Sequence, residues 1–222
     1  ALAERIRAKF RIKNTCGYSL NALVDYEDPF EILQHLMIGS EGTLGFIAEI
    51  TYHTVEEHSH KATALMIFPD IQTACEAVAA LKSQPVAAVE LMDRASIRSV
   101  ENKAGMPPYF KELPEIAAAL LVETRAMDAV NLAAQVEMIT AALTLTPTLL
   151  PFQFTDRPEE FTQLWAIRQG LFPSVGSARA TGTTVIIEDV AVPVPQLAAM
   201  TLDLQRLFDR HGYTGSIIFG HA

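Results

Sequence analysis

Three glycines stand within seven positions in the string Gly39-Ser40-Glu41-Gly42-Thr43-Leu44-Gly45. Glycine reaches the left-handed backbone region and admits the close approach of another backbone or a ligand. Ser40 and Thr43 add hydroxyls, and a turn of this composition leaves main-chain N–H groups free. Such a loop suits an anion or the polar edge of a cofactor. A plain tight turn has the same composition, so on residue types alone the two readings stand level.

The second constellation is Trp165-x-x-Arg168. A spacing of three puts both side chains on one face of a helix. A guanidinium grips a carboxylate through two parallel hydrogen bonds, and an indole beside it can stack on it or wall the pocket. The alternative from spacing alone is a surface arginine laid over a core tryptophan. Glu188-Asp189 reads as a solvated strand end or a cap partner. His53, His58 and His60 cluster in a polar stretch. His58-x-His60 could ligate a metal from one strand face, but incidental linker histidines fit the surroundings better. His35 and His211 have no evident partner. The sequence contains no P-loop and no GxGxxG fingerprint.

These residues need elements to hold them. Residues 1–12 read as a short amphipathic helix with Ile6 and Phe10 inward, followed by a loop anchored by Tyr18, Leu20 and Leu23. Asp28 as cap, Pro29 at the first helical position and Glu31 three residues after the cap predict a helix over 29–37 that runs into the glycine loop. Alternation predicts a strand over 46–52. Further strands are expected over 62–68, 86–92, 116–123, 149–154, 184–193 and 214–219. Helices are expected after Asp70 to residue 83, after Asp93 to about 103, and over 127–143, 159–171 and 195–211. The helix over 127–143 offers Val130, Ala133, Ala134, Val136 and Ile139 for burial. Strand and helix alternate throughout, which predicts an α+β fold: a ferredoxin-like antiparallel sheet with helices on one face.

The chain has 222 residues, half of them hydrophobic, enough to bury a substantial core. Its formal net charge of −9, without a basic cluster, argues against nucleic acid as a partner. No apolar run approaches the roughly 20 residues of a transmembrane segment. Cys16 and Cys75 lack metal or disulfide spacing and read as reduced, partly buried thiols. Ala1-Leu2-Ala3-Glu4 reads as the middle of a helix and Gly220-His221-Ala222 follows an apolar strand, so the expectation is a fragment of a longer protein.

The string from Gly39 to Gly45, followed by an apolar segment, resembles the flavin-binding loop of the vanillyl-alcohol oxidase family of FAD proteins. It is most similar to the branch of D-lactate, glycolate and D-2-hydroxyglutarate dehydrogenases. Upstream, Lys13-Asn14-Thr15-Cys16-Gly17-Tyr18-Ser19-Leu20 resembles the Lys-Asn-x-x-Gly-Tyr-x-Leu segment that precedes this loop in that branch. The resemblance implies FAD as cofactor, with Ser40, Glu41, Gly42, Thr43, Leu44, Gly45, Phe46 and Ile47 beside it. Residues 1–57 then correspond to the C-terminal part of an FAD-binding domain. Residues 58–222 correspond to a substrate (cap) domain, truncated at its C-terminal end.

Trp165-x-x-Arg168 resembles the motif whose arginine holds the substrate carboxylate, which makes Arg168 and Trp165 the implied substrate-binding residues. Some relatives add a hydroxyl one turn after that arginine and a lysine on the following strand. Here those places hold Phe172 and the lysine-free run Val185-Ile186-Ile187-Glu188-Asp189, which leaves the identity of the acid open. Asp189 matches a family aspartate and reads as structural. Gly220-His221-Ala222 resembles the start of Gly-His-x-Gly-Asp-Gly-Asn-x-His, so His221 is the implied ligand of a divalent metal such as zinc in the parent protein. The second histidine of that motif falls beyond residue 222, and one histidine alone makes no site.

The implied activity is oxidation of a D-2-hydroxy acid to the 2-oxo acid by hydride transfer to flavin. The general base falls outside this sequence, so no catalytic residue is assigned within it. Electrons would leave through a quinone or an iron–sulfur region elsewhere in the parent, which would be cytoplasmic or peripheral to the inner membrane. The alternative is that the fragment is an inactive α+β ligand-binding or structural module that holds no FAD by itself. An unrelated ferredoxin-like sensing domain explains the alternation from Ala62 onward, but not the glycine loop or the segment before it.

Overall fold

Backbone contacts divide the chain into two units, Ala1–Glu56 with Ile186–Pro193, and Glu57–Val185 with Val194–Ala222. The computed structural model describes all residues except Thr15, Arg179, Ile187 and Glu188.

In the first unit, α1 spans Leu2–Lys9, α2 is a single turn over Ala22–Asp25, and α3 spans Pro29–Met37. The start of α3 follows local chemistry. The Asp28 carboxylate accepts the Phe30 N–H at 2.8 Å, and Pro29 takes a position whose N–H would have no helical partner. The strand expected over 46–52 does not form. A lone extended segment has no ladder to complete, and the described residues of this unit contain no strand to pair with it. Its apolar side chains stay in solvent, with Phe46 at 91% exposure. Tyr18, Leu20 and Leu23 are also exposed rather than buried as anchors.

The second unit holds an antiparallel sheet of β1 (His60–Phe68), β2 (Ala88–Met92), β3 (Ala118–Ala126) and β4 (Phe219–His221) in the order β1-β3-β2-β4. Its helices are α4 (Ile71–Leu81), α5 (Arg94–Val100), α6 (Ala129–Ala142), α7 (Pro158–Gln169), α8 (Leu171–Ala178) and α9 (Leu197–His211). Asp70, Asp93 and Asp128 cap α4, α5 and α6 by accepting the N–H of Thr73, Ser96 and Asn131 at 2.7, 2.7 and 2.8 Å. The order β1-α4-β2-β3-α6 is the ferredoxin-like path.

The next expected strand, over 149–154, is only partly realised. It runs along the outer edge of β1, where Leu149 donates to Ile67 at 2.8 Å and Thr155 and Thr63 exchange bonds of 3.0 and 2.9 Å. Pro151 lies between these two attachments and has no N–H to give, so the ladder is interrupted. At the opposite edge β4 begins later than the expected 214–219. β2 is short and α5 follows it at once, so the ladder pairs Phe219, Gly220 and His221 with Met92, Leu91 and Glu90, flanked by single bonds from Asp93 N–H to Ile218 O and from Ala222 N–H to Val89 O, each 2.9 Å. In the expected strand 184–193 the described residues form no strand, and Ile187 and Glu188 lie outside the described residues.

Helices cover both faces of the sheet, not one. The first eight residues of β3 include only one exposed side chain, Arg125, so both faces are apolar and both need cover. One face presents Met66, Phe68, Leu91, Leu120 and Val122 to α4, α6 and α9. The other presents Ile67, Met92, Ala119 and Leu121 to Ile97 and Val100 of α5, Phe110, Ile167 of α7 and Leu171 of α8. On α6 the inward stripe is Leu132, Val136 and Ile139, whereas Val130, Ala133 and Ala134 face solvent. The Asp128 cap sets that phase.

Cys16 is exposed and Cys75, on α4, is buried. Burial, opposed in part by a hydrogen bond with Thr201, pushes the Cys75 thiol from its ordinary 9.0 up to about 11. A neutral buried thiol therefore supports the fold fully below the unfolded value, and that support is lost as pH rises from there through the folded value. Iodoacetamide at pH 8 is expected to modify one thiol in the native chain and the second only after denaturation. Stability is expected to fall between pH 9.0 and about 11, less so in Cys75→Ala. Equal labelling of both thiols in the native state would contradict this assignment.

Candidate functional site

The sheet face beneath α7 carries two carboxylates where apolar residues would be expected. Glu90 of β2 and Glu123 of β3 are 2% and 1% exposed. The register pairs Ala88 with Glu123 and Glu90 with Leu121, so the two glutamates are diagonal neighbours on one face. A carboxylate buried without partners is costly. Here α7 supplies one partner to each. Trp165 donates its indole N–H to Glu123 Oε2 at 2.5 Å, and Arg168 donates Nε to Glu90 Oε2 at 2.7 Å. The three-residue spacing of the motif matches the offset of the two glutamates across the sheet.

Each glutamate has further partners. Glu123 accepts from Thr63 Oγ1 at 2.9 Å and from Arg125 Nε at 2.7 Å. His221 of β4 lies opposite Glu90 in the register, with Nδ1 at 2.5 Å from Oε1. The Arg168 guanidinium also sits over the Phe219 ring, 4.6 Å from its centroid. Among the described residues the two terminal nitrogens of Arg168 make no hydrogen bond, so its fork remains open to a carboxylate. An open depression of about 480 Å³ has Glu90, Trp165 and His221 among its walls.

The sequence-based site residues of this unit thus converge. Arg168, Trp165 and His221 meet on one sheet face, and Trp165 is among the residues lining the depression. Arg168 is not simply laid over the tryptophan; each grips its own glutamate. His221 sits against Glu90. Glu90 and Glu123 escaped the sequence reading. The signal was there in principle, because a single charge inside Val89-Glu90-Leu91-Met92 and after Leu120-Leu121-Val122 implies a buried partner.

In the first unit the glycine loop is tightly wound. Gly39 and Gly42 take φ of 77° and 76°, and Glu41 joins them at 50°. A Cβ on Gly45 would lie 2.9 Å from Met37 Cε, the tip of a flexible side chain that would have to shift. Thr43 Oγ1 donates to Ser40 O at 2.6 Å, which leaves the Tyr18 hydroxyl to donate to Thr43 at 2.9 Å. Ser19 Oγ donates to Ile38 O at 3.0 Å. The upstream segment and the glycine loop are therefore joined by hydrogen bonds. Ser40 is buried and the Thr43 hydroxyl is occupied, so the loop offers main chain rather than hydroxyls. Among the described residues the N–H groups of Glu41, Gly42, Leu44, Gly45, Phe46 and Ile47 have no backbone partner. This donor set fits an anion or a polar ring edge. Asp189 is exposed. Among the described residues no group of three His, Cys, Asp or Glu could hold a metal, and no helix is long and apolar enough to cross a membrane.

Comparison with known proteins extends this picture. A family model described as FAD linked oxidases, C-terminal domain, matches residues 57–222. The chain is 33% identical over 192 residues to D-lactate dehydrogenase [cytochrome], mitochondrial, of Arabidopsis thaliana, covering 86% of this chain and 32% of that protein. It is 27% identical to the glycolate oxidase subunit GlcD of Bacillus subtilis (86% and 39% covered) and 26% identical to D-2-hydroxyglutarate dehydrogenase of Xanthomonas citri pv. viticola (90% and 41% covered). The chain thus spans 32–41% of the length of these relatives. Among solved structures, an alkyldihydroxyacetonephosphate synthase superposes with a TM-score of 0.58 over 81% of this chain and 36% of that one, at 15% identity; that likeness concerns the fold alone.

Replacing Trp165 by Phe keeps the apolar ring and removes one donor to a buried carboxylate. The expected loss is about 1–3 kcal/mol, read by circular dichroism as a lower urea midpoint with an unchanged slope. Adding Glu123→Gln should return part of it. An unchanged midpoint in Trp165→Phe would show that the indole bond contributes nothing.

Proposed function

The chain belongs to the FAD linked oxidases, C-terminal domain family, and from that premise we propose that the whole protein is an FAD-dependent dehydrogenase oxidising a D-2-hydroxy acid to the 2-oxo acid. The observation that carries the reading is the state of Arg168. Its Nε is spent on Glu90, and among the described residues its two terminal nitrogens make no hydrogen bond. A guanidinium so anchored binds a carboxylate bidentately and orients the carbon beside it. The names of the relatives, D-lactate dehydrogenase, glycolate oxidase subunit and D-2-hydroxyglutarate dehydrogenase, supply the acid class.

In this reading Arg168 holds the substrate carboxylate and Trp165 forms a wall that excludes water. Ser40, Glu41, Gly42, Thr43, Leu44, Gly45, Phe46 and Ile47 lie along the cofactor, with the unpartnered amides of the loop as donors. FAD, when bound, supplies the hydride acceptor. Residues 1–57 serve as the C-terminal part of the FAD-binding domain and 58–222 as the substrate domain. A divalent metal such as zinc at His221 would need ligands that the described residues do not bring together, so no step is assigned to one. The electron acceptor is a quinone or an iron–sulfur region outside residues 1–222, in a protein that is cytoplasmic or peripheral to the inner membrane.

The full-length, FAD-loaded enzyme is expected to reduce a dye with D-lactate, glycolate or D-2-hydroxyglutarate, and not with the L-acids. Arg168→Lys keeps a cation for Glu90 but loses the fork, so KM for the acid should rise roughly tenfold or more. No turnover of any of these acids would sink the proposal. Since the chain spans about a third of its relatives, residues 1–222 alone are expected to fold the sheet domain without retaining flavin. A visible spectrum of the purified chain checks this, and a yellow protein would refute it.

A further inference from the structure

We propose that Glu90 is a positioning residue: one buried carboxylate that holds Arg168 by its Nε edge and His221 by Nδ1, leaving the guanidinium fork and imidazole Nε2 without a partner among the described residues. This rests on the reading of Arg168 as the carboxylate-binding residue of a hydroxy-acid dehydrogenase.

The geometry is specific. The Glu90 side chain is 3% exposed, and each of its oxygens faces a different partner: Oε2 takes Arg168 Nε at 2.7 Å, and Oε1 faces His221 Nδ1 at 2.5 Å. At that distance a ring N–H on Nδ1 can be shared with the carboxylate, which places Nε2 on the side of the ring away from Glu90. The Phe219 ring under the guanidinium limits its rotation, so the bond at Nε sets the direction of the fork. Sheet register enforces the arrangement. Glu90 and His221 are direct partners across β2 and β4, with Phe219 two residues earlier on the same face of β4. Both partners are thus oriented by an element that is buried and rigid, as a preorganised site requires.

A carboxylate is needed for this, because it accepts at both oxygens. An amide of the same shape has one oxygen and one NH2. In Glu90→Gln one of the two partners must face an NH2: a guanidinium there has no acceptor and turns away, whereas a neutral imidazole there must switch tautomer so that Nδ1 accepts. If Glu90 only maintained the fold, the variant would lower stability and leave substrate affinity alone. If it positions Arg168, the fork shifts and the acid binds more weakly.

The test uses the full-length, FAD-loaded enzyme as wild type, Glu90→Gln, Arg168→Lys and the double variant, with Glu90→Asp as a second single variant. Glu90→Gln is expected to raise KM for the acid roughly 10- to 100-fold with FAD content retained. The double variant should be little worse than Arg168→Lys, because both act through one guanidinium. Glu90→Asp should fall between wild type and Glu90→Gln. Independently of turnover, long-range ¹H–¹⁵N spectra of the wild type should show His221 with its proton on Nδ1, and the spectrum should change in Glu90→Gln. An Nε2–H tautomer in the wild type overturns the inference even if Glu90→Gln does not fold. So does unchanged KM in Glu90→Gln and Glu90→Asp, or additive losses in the double variant. If Arg168→Lys itself leaves KM unchanged for every acid, the functional reading has failed, and the imidazole spectrum still decides whether Glu90 holds His221.

Discussion

Two ionised carboxylates inside a sheet demand an answer from the rest of the fold. Taking a carboxylate out of water costs several kcal/mol even after relaxation, and Glu90 and Glu123 sit on one face as diagonal neighbours. A helix that brought only apolar side chains to that face would leave each carboxylate short of a partner. α7 brings an indole N–H and a guanidinium at a spacing that meets both. The apolar residues of this face require a cover, and the two carboxylates explain why the helix over them carries the single tryptophan of the chain.

What could be read from the sequence was what is decided locally. Asp28, Asp70 and Asp93 each announce a helix because the cap and the N–H it satisfies lie within three residues of each other. The Trp165-x-x-Arg168 face was legible for the same reason. Strand 46–52 failed because alternation describes a face and says nothing about whether a partner strand exists. The segment 149–154 failed because Pro151 broke a ladder whose other side is 80 or more residues earlier in the chain. Glu90 went unnoticed as part of the site because its bond to Arg168 spans 78 positions. A strand reveals a misplaced charge, but it does not reveal which helix will meet it. The expectation of helices on one face failed likewise, since β3 had to be seen buried on both sides before the second layer was required.

The first unit shows how two short motifs become one structure. Taken separately, the glycine string and the Gly-Tyr-Ser-Leu segment are weak signals. The hydrogen bonds from Tyr18 to Thr43 and from Ser19 to Ile38 join them, so neither would keep its conformation unaided. Of the hydroxyls that first suggested ligand binding, that of Thr43 is consumed in this joining and Ser40 is buried. What is left facing outward is a run of main-chain amides, a donor set that does not depend on side-chain identity. This is a physical reason for the order and spacing of the two motifs, independent of any resemblance.

Under the proposed function, stability and ligand binding rest together on Arg168. A lysine offers one point charge and can serve one carboxylate well; a guanidinium has two edges and can serve two. The Nε edge is paired with Glu90. Under the proposed function the ligand carboxylate would not have to order the arginine on binding, because Glu90 and the Phe219 ring already hold it. Entropy that a flexible surface arginine would lose at each binding event is lost once, during folding. The same logic makes the site sensitive to the sheet. A slip of β4 against β2 would move His221 and Phe219 together and release the arginine, so the short three-residue pairing of β4 constrains the site more than its length suggests.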